Sequence, residues 1–135
     1  MDKIVHYVFG PYKRKRVLER FVVEELKMLF NKICEEKGFE LISQNILIEH
    51  VHLLIKKRSS DSNEYVMKMI KGISSREFFK KRPTNRLIYR KLWARGYRAE
   101  EIKDEEHLKN VLEYVKGQKR KGVDKRIHEI GNRDV

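Results

Sequence analysis

The strongest β-strand pattern of the chain lies between residues 46 and 55, which read Ile46-Leu47-Ile48-Glu49-His50-Val51-His52-Leu53-Leu54-Ile55. Side chains alternate across a strand, so one face is expected to carry Ile46, Ile48, His50, His52 and Leu54. Two imidazoles two residues apart on a rigid strand point in the same direction, which is a geometry that a metal ion can use. The alternative is a pair of half-buried histidines with hydrogen-bonded partners, and the strand alone leaves both interpretations open.

The segments before this stretch predict a strand and a helix. Residues 4–9 have strand composition and are followed by Gly10-Pro11, which predicts a turn. Residues 17–37 carry apolar side chains at helical spacing, and Gly38 is a plausible end for that helix. Residues 39–57 are rich in β-forming residues and predict two strands, with a turn or bend near residues 43–45.

The segments after it predict two more helices and a strand between them. The run Asp61-Ser62-Asn63-Glu64 is typical of a helix start, and that helix must end by Pro83. Leu92 to Ile102 is expected to hold another strand, around Trp93 to Tyr97. Asp104 can cap a last helix that runs to about Lys119.

The resulting order is strand, helix, two strands, helix, strand, helix. Such mixing without regular βαβ alternation predicts an α+β fold in which helices pack on an antiparallel sheet, of ferredoxin-like or RRM-like type. A chain of 135 residues fits one domain covering 1–135, with about 120–135 as a basic C-terminal tail.

The charge of the chain points to a polyanionic partner. Lys and Arg number 32 against 20 acidic residues, for a net charge of +12. The basic residues form four clusters: Lys13-Arg14-Lys15-Arg16, Lys56-Lys57-Arg58, Lys80-Lys81-Arg82 and Lys119-Arg120-Lys121. A solvated surface or the ion-pair networks of a heat-adapted protein are the alternatives, but networks alone would keep the charge near balance. The composition therefore favours nucleic-acid binding.

Cysteine content and hydropathy indicate the compartment. The chain has one cysteine, Cys34, which cannot form an internal disulfide, so a reducing cytoplasm is expected. No apolar stretch approaches the roughly 20 residues of a membrane span. The N-terminus enters a strand-like segment at once, so neither a signal peptide nor a membrane partner is expected.

The last predicted helix carries side chains that could complete a site around the two histidines. Tyr114 and Gln118 are four residues apart and share a helix face, with His107 and Val111 on the same side. The carboxamide oxygen of Gln118 could be a third metal ligand. A core tyrosine followed by a solvent-facing glutamine is the common alternative.

Together these segments resemble the HUH endonucleases, and among them the TnpA-type single-tyrosine transposases, including the REP-associated ones. His50-Val51-His52 resembles their His-hydrophobic-His motif, and residues 114–118 resemble their Tyr-x-x-x-Gln helix. Three further segments match in order: His6 to Phe9 with Arg14 to Leu18, Lys71-Gly72-Ile73-Ser74-Ser75, and Leu92-Trp93-Ala94-Arg95-Gly96-Tyr97. The chain departs from the family at Arg98-Ala99-Glu100-Glu101, where members usually continue apolar, which leaves the length of that strand open.

The resemblance implies an HUH-type fold and a division of roles. His50, His52 and Gln118 would hold one divalent ion, Mg²⁺ or Mn²⁺, and Tyr114 would attack a DNA phosphate to leave a 5′-phosphotyrosine. The substrate implied is single-stranded DNA with hairpins near the ends of a mobile element. The resemblance also implies a homodimer, in which the tyrosine helix of one subunit often completes the site of the other. Candidate DNA contacts in the matching segments are Lys13, Arg14, Arg16, Lys71 and Arg95. The chain has no Walker loop, so no nucleotide cofactor is expected.

Two other functions fit parts of the pattern. A host-borne nuclease that processes repeated palindromes would use the same chemistry, and only the flanking DNA would distinguish it from a transposase. A non-catalytic nucleic-acid-binding module with an RRM-like sheet would have no need for His50, His52, Tyr114 and Gln118 together. The aromatic strings of RRM proteins are also missing from the sequence.

Overall fold

The computed structural model describes residues 1–12, 20–47, 49–82 and 91–117. Its elements are β1 (Asp2–Phe9), α1 (Arg20–Lys37), β2 (Glu40–Ile46), β3 (Val51–Arg58), α2 (Asn63–Lys80), β4 (Arg98–Glu101) and α3 (Glu105–Val115). The strands form one antiparallel sheet in the order β2-β3-β1-β4. The α+β class and the order of the elements are confirmed, and the strand order is that of a ferredoxin-like sheet.

The chain reverses within the stretch that the sequence predicts as one strand. β2 ends at Ile46 and β3 begins at Val51, with these two residues paired across the hairpin. The backbone N–H of Leu47 donates to the carbonyl of His50 at 2.8 Å, which closes the turn. The prediction of a continuous strand from 46 to 55 was therefore wrong, because apolar content continues through the first part of a tight reversal.

The irregularity expected near residues 43–45 is a β-bulge and not a turn. The pairing register between β2 and β3 shifts between Leu41 and Ser43, which leaves Ile42 as an extra residue. A bulge inserts one residue and bends the strand without ending it. Ile42 packs against the side of the sheet that α3 covers.

The two faces of the sheet are covered by different helices. One face supplies Val5, Tyr7 and Phe9 from β1 and Val51, Leu53 and Ile55 from β3 to the main core, which also contains α1 and α2 residues. The opposite face contributes Leu54 to a smaller cluster with Val111 and Val115 of α3. By strand alternation, His6 and His52 lie on this second face.

The fourth strand lies later in the chain than the sequence predicts. Trp93 is buried in the core, where its indole N–H donates to Ser74 Oγ at 2.8 Å, and it makes only an isolated bridge to Pro11. β4 is the charged segment Arg98–Glu101, paired with β1. The predicted strand within residues 92–102 is confirmed, but its placement at 93–97 was wrong because the apolar side chains there fill the core from an irregular segment. A charged edge strand also protects the sheet from pairing with other chains.

The starts of α2 and α3 are confirmed and the end of α3 is corrected, whereas the predicted start of the first helix at Val17 lies outside the described residues. Ser62 caps α2 by accepting from the Tyr65 N–H, and Asp104 caps α3 by accepting from the His107 N–H. α3 ends at Val115, and Gly117 follows with φ +94°, a conformation that suits glycine and does not continue a helix. The expected extension of the helix to about Lys119 was therefore wrong, and the residues from 118 onward lie outside the described part of the chain.

Cys34 lies on the buried side of α1, with 1% of its surface exposed. Burial raises the pKa of its thiol to about 12. None of the helices in the described ranges is long and apolar enough to span a bilayer.

Gly38 and Gly72 are expected to respond to alanine in opposite directions. Gly38 ends α1 with φ +79°, and an added Cβ would lie 2.9 Å from Arg58 Nη1, so Gly38→Ala should lower the free energy of unfolding by about 1–2 kcal/mol. Gly72 lies inside α2 with no atom within 4 Å of an added Cβ, so Gly72→Ala should raise it by about 0.5–1 kcal/mol. Urea denaturation of both variants measures the difference, and equal shifts would contradict it.

Candidate active site

The sheet face beneath α3 brings three rings together. His6 lies on β1, His52 lies on β3 and Tyr114 lies near the end of α3. The ring centroids of His52 and Tyr114 are 5.2 Å apart, those of His6 and Tyr114 are 6.0 Å apart, and both pairs meet edge to face. The two imidazoles stack with centroids 5.3 Å apart. Segments that are distant in sequence thus form one cluster of chemically active side chains.

Tyr114 is positioned by the packing of α3. The buried Val111 and Val115 anchor the helix on Leu54 of the sheet. Val111 precedes Tyr114 by three residues, so both side chains lie on neighbouring parts of the same helix surface. The anchored helix therefore holds the tyrosine over the histidines.

His52 is held as a neutral imidazole. Only 2% of its surface is exposed. Its pKa is lowered to about 3, first by burial and then by the neighbouring charges of His6 and His50. A neutral imidazole is the form that binds metal ions.

His50 reaches the site from the turn and not from the strand. It directly precedes β3 and is half-buried. Its effect on the pKa of His52 shows that the two imidazoles are close enough to interact. The argument from strand alternation thus applies to His52 but not to His50, although both lie in the same neighbourhood.

Two hydrogen bonds and one longer electrostatic contact connect this site to α3. His6 Nε2 lies 3.1 Å from His52 Nδ1, and His6 Nδ1 lies 3.8 Å from Glu100 Oε1. Glu100 Oε2 lies 3.1 Å from His107 Nε2. His6 and Glu100 are paired directly across β1 and β4. Residues of β1, β3, β4 and α3 thus hold the cluster together.

Sequence patterns do not identify His6 and Glu100 as site residues. The alternation of β1 places His6 on the face opposite to Tyr7, but it does not say which strands lie beside it. Asn45 is a further polar neighbour, since it pairs across the sheet with His52 and its Nδ2 lies 3.5 Å from the position of an added Cβ on Gly117. These residues join the site through the pairing of β1 and β2 with β3 and of β4 with β1.

Of the five basic residues that are predicted to contact DNA, the structure describes Lys71 and Arg95. Lys71 is buried, and its ammonium donates to the carbonyls of Ala94 and Gly96, both at 2.9 Å. Arg95 lines a groove of about 340 Å³ together with Lys68, Lys71, Gly72, Ser75, Lys91, Leu92 and Trp93. Lys13, Arg14 and Arg16 lie outside the described residues.

Of the three ligands that the family resemblance implies for a divalent ion, the two histidines, His50 and His52, lie among the described residues. Among the described residues no group of three His, Cys, Asp or Glu side chains is arranged to hold a metal ion. The chemistry of the donors nevertheless fits, because His52 is neutral and His50 lies beside it. Gln118, the third ligand implied by the family resemblance, lies outside the described residues.

His52 is expected to make the stability of the metal-free protein depend on pH. Its pKa is about 3 in the folded protein against 6.5 for an ordinary histidine, so the unfolded chain binds the proton first as the pH falls. Its contribution to stability is complete above the unfolded pKa and is lost toward pH 3, with a slope of up to about 1.4 kcal/mol per pH unit.

Urea unfolding of wild type and of His52→Asn between pH 7 and pH 4 measures this contribution as the difference between the two slopes. A variant whose stability falls as steeply as that of wild type would contradict the assignment.

Comparison with known proteins identifies the family. The family model described as "Transposase IS200 like" matches residues 2–118. The ISDra2 transposase TnpA of Deinococcus radiodurans is 30% identical over 88 residues, which cover 65% of this chain and 61% of that protein. A candidate REP-associated tyrosine transposase of Haemophilus influenzae is 28% identical over 102 residues, which cover 69% of this chain and 56% of that protein. The chain thus spans about three fifths of the length of these relatives.

Two solved structures share the fold. A candidate transposase from Deinococcus radiodurans R1 superposes with a TM-score of 0.69 at 24% identity and covers 87% of this chain and 92% of that one. A REP-associated tyrosine transposase bound to a REP hairpin superposes with a TM-score of 0.64 at 14% identity and covers 87% of this chain and 70% of that one. These likenesses confirm the HUH-type fold, and the family match confirms the resemblance on which that expectation rested. The chain belongs to the family of IS200-like transposases.

Proposed function

We propose that this chain cuts and rejoins single-stranded DNA at hairpin-bearing element ends through a covalent bond to Tyr114. The observation that carries the proposal is the meeting of Tyr114 with His52 on one sheet face, with ring centroids 5.2 Å apart. Membership of the transposase family supports the general activity. A non-catalytic binding module would give no reason for a tyrosine to lie over a buried, neutral histidine.

The proposed step exchanges one phosphodiester for another. The Tyr114 hydroxyl loses its proton and its oxygen bonds to the phosphorus, while the bond from phosphorus to the 3′ oxygen breaks and that oxygen takes up a proton. The products are a 5′-phosphotyrosine and a free 3′-OH. Because the energy of the ester is retained in the protein–DNA bond, a second DNA 3′-OH can reverse the reaction without ATP.

A divalent ion fits this chemistry. We propose that His50, His52 and Gln118 hold one Mg²⁺ or Mn²⁺ per site. When bound, the ion would withdraw charge from the phosphoryl oxygens and orient the scissile bond, which a tyrosine with an ordinary pKa of about 10 requires. Imidazole ligands also suit softer metals, so activity should be compared across Mg²⁺, Mn²⁺ and Zn²⁺.

The basic groove beside the core is the proposed contact surface for the DNA backbone. Lys68, Lys91 and Arg95 line it, and Lys13, Arg14 and Arg16, which lie outside the described residues, remain candidates. The likeness to a transposase bound to a REP hairpin supports a hairpin as the recognised feature. Binding through phosphates releases counterions, so the affinity should fall steeply with salt.

The assembly is proposed to be a homodimer, as the family resemblance implies. Tyr114 and His52 of one chain are already neighbours. This supports a site whose tyrosine and histidines can come from the same subunit.

The decisive experiment mixes the protein with end-labelled single strands from the DNA that flanks its gene, with Mg²⁺, Mn²⁺ or EDTA. Denaturing electrophoresis should show label that migrates with the protein only when metal is present. His50→Ala should weaken Mn²⁺ binding in calorimetry and reduce the adduct in parallel. DNA binding without an adduct under any metal and strand would overturn the proposal and favour a non-catalytic module.

A further inference from the structure

We propose that Glu100, His6 and His107 form a polar relay, made of hydrogen bonds and one longer electrostatic contact, that fixes the tautomer of His52, with the proton on Nδ1 and the lone pair on Nε2. Glu100, His6 and His107 are then positioning residues, because they act through His52. The use of the Nε2 lone pair as a metal ligand rests on the proposed function. The tautomer itself follows from the geometry of these side chains with the imidazoles neutral and Glu100 ionised.

The first hydrogen bond of the relay comes from the backbone N–H of Lys103. The N–H of Lys103 can only donate, and it points at His107 Nδ1 at 3.1 Å. His107 Nδ1 must therefore be an acceptor, so in the neutral ring the proton lies on Nε2. That nitrogen lies 3.1 Å from Glu100 Oε2 and donates to it.

Glu100 also determines which nitrogen of His6, on β1, carries the proton. An ionised carboxylate accepts only, and its second oxygen, Oε1, lies 3.8 Å from His6 Nδ1. A lone pair on His6 Nδ1 would face the negative charge, whereas an N–H there is attracted to it. The proton of a neutral His6 therefore lies on Nδ1, and its Nε2 is an acceptor.

His52 is the last member of the relay. His6 Nε2 lies 3.1 Å from His52 Nδ1, so the acceptor on His6 requires a donor on His52. Both rings are buried, at 5% and 2% exposure, and a mismatched pair of nitrogens there would lose its hydrogen bond. With the proton on Nδ1, Nε2 of His52 is left with its lone pair.

Partners of this kind orient metal-binding histidines and raise their basicity, and their loss typically weakens metal affinity by 10- to 100-fold. The backbone of Lys103, which directly precedes the N-cap of α3, thereby sets the state of an imidazole on β3 through His107 of that helix. The same helix carries Tyr114, so the nucleophile and the tautomer of His52 depend on one element. No net proton needs to be gained or lost for the relay to operate.

The test is ¹⁵N NMR of histidine-labelled, metal-free protein at neutral pH. Two-bond couplings should show a protonated Nδ1 on His6 and His52 and a protonated Nε2 on His107. Glu100→Gln is the informative variant, because its amide oxygen would accept from His107 while its NH₂ group faces His6. The tautomers of His6 and His52 should then both reverse, and Mn²⁺ affinity measured by calorimetry should fall by about 10- to 100-fold.

Glu101→Gln is the matched control. It removes the same charge from the neighbouring position of β4, where Glu101 pairs with Lys3 at 3.4 Å and does not face His6. A protonated Nε2 on His52 in wild type, or an unchanged His52 tautomer in Glu100→Gln, would overturn the relay. Equal losses of Mn²⁺ affinity in both variants would assign the effect to charge and overturn the positioning role. The expected tautomers without any DNA adduct would instead overturn the proposed function and leave the relay intact.

Discussion

Tyr114→Phe is expected to abolish covalent attachment to DNA, with a loss of at least about a thousandfold in the rate of adduct formation. The phenylalanine ring keeps the edge-to-face packing on His52 and His6, at centroid distances of 5.2 Å and 6.0 Å. The variant therefore loses the nucleophilic oxygen but keeps the arrangement of the site. Denaturing electrophoresis measures the adduct, and a gel-shift assay with hairpin DNA should show binding close to that of wild type.

Tyr65→Phe provides the matched control. Tyr65 lies on α2, is 38% exposed and packs against Phe39, away from the histidines. Its hydroxyl should be dispensable for the adduct. An adduct that persists in Tyr114→Phe would show that another residue is the nucleophile and that Tyr114 of α3 does not take part in the reaction.

Lys71→Met is expected to lower the free energy of unfolding by about 2–4 kcal/mol, because the lysine anchors an irregular core segment. Its ammonium donates to the carbonyls of Ala94 and Gly96, and a methionine would leave both acceptors without this donor. Burial lowers the pKa of Lys71 to about 8, so the ammonium is still charged at neutral pH. Relief of its desolvation offsets only part of the loss. Urea denaturation measures the effect.

The comparison with Lys68→Met separates a loop anchor from a DNA contact. Lys68 lies one turn earlier on α2, is exposed and lines the same groove. Lys68→Met should leave stability within about 0.5 kcal/mol of wild type and weaken DNA binding. A stable Lys71→Met variant with reduced DNA affinity would show that Lys71 acts on phosphate and not on the loop.

Local patterns were sufficient to predict the architecture. The helical spacing of apolar residues in α1, the caps at Ser62 and Asp104 and the stop at Gly38 all depend on a few neighbouring residues. These signals fixed the order of elements and hence the α+β class. The identity of the site came from motif resemblance, which places His50, His52 and Tyr114 by analogy to a family.

The wrongly placed strands and the site residues that the sequence patterns did not identify have one physical cause. Each of these features depends on contacts between segments that are distant in the sequence. Ile46 and Leu47 continue the apolar pattern into the turn, and Trp93 and Tyr97 are buried in an irregular segment. Composition alone does not separate a strand from either of these structures. His6 meets His52 because β1 pairs with β3 in a register that joins residues 46 positions apart. Glu100 enters the site only through the pairing of β4 with β1. The role of Gln118 stays a prediction, because it lies outside the described residues.

The burial of Cys34 gives the protein an intrinsic reporter of its own opening. A thiol whose pKa is raised to about 12 and whose surface is 1% exposed reacts very slowly with alkylating reagents while α1 is packed. The labelling rate at increasing reagent concentration then gives the frequency with which α1 detaches from the sheet. Since the sequence has no other cysteine, that rate is read without any engineered probe.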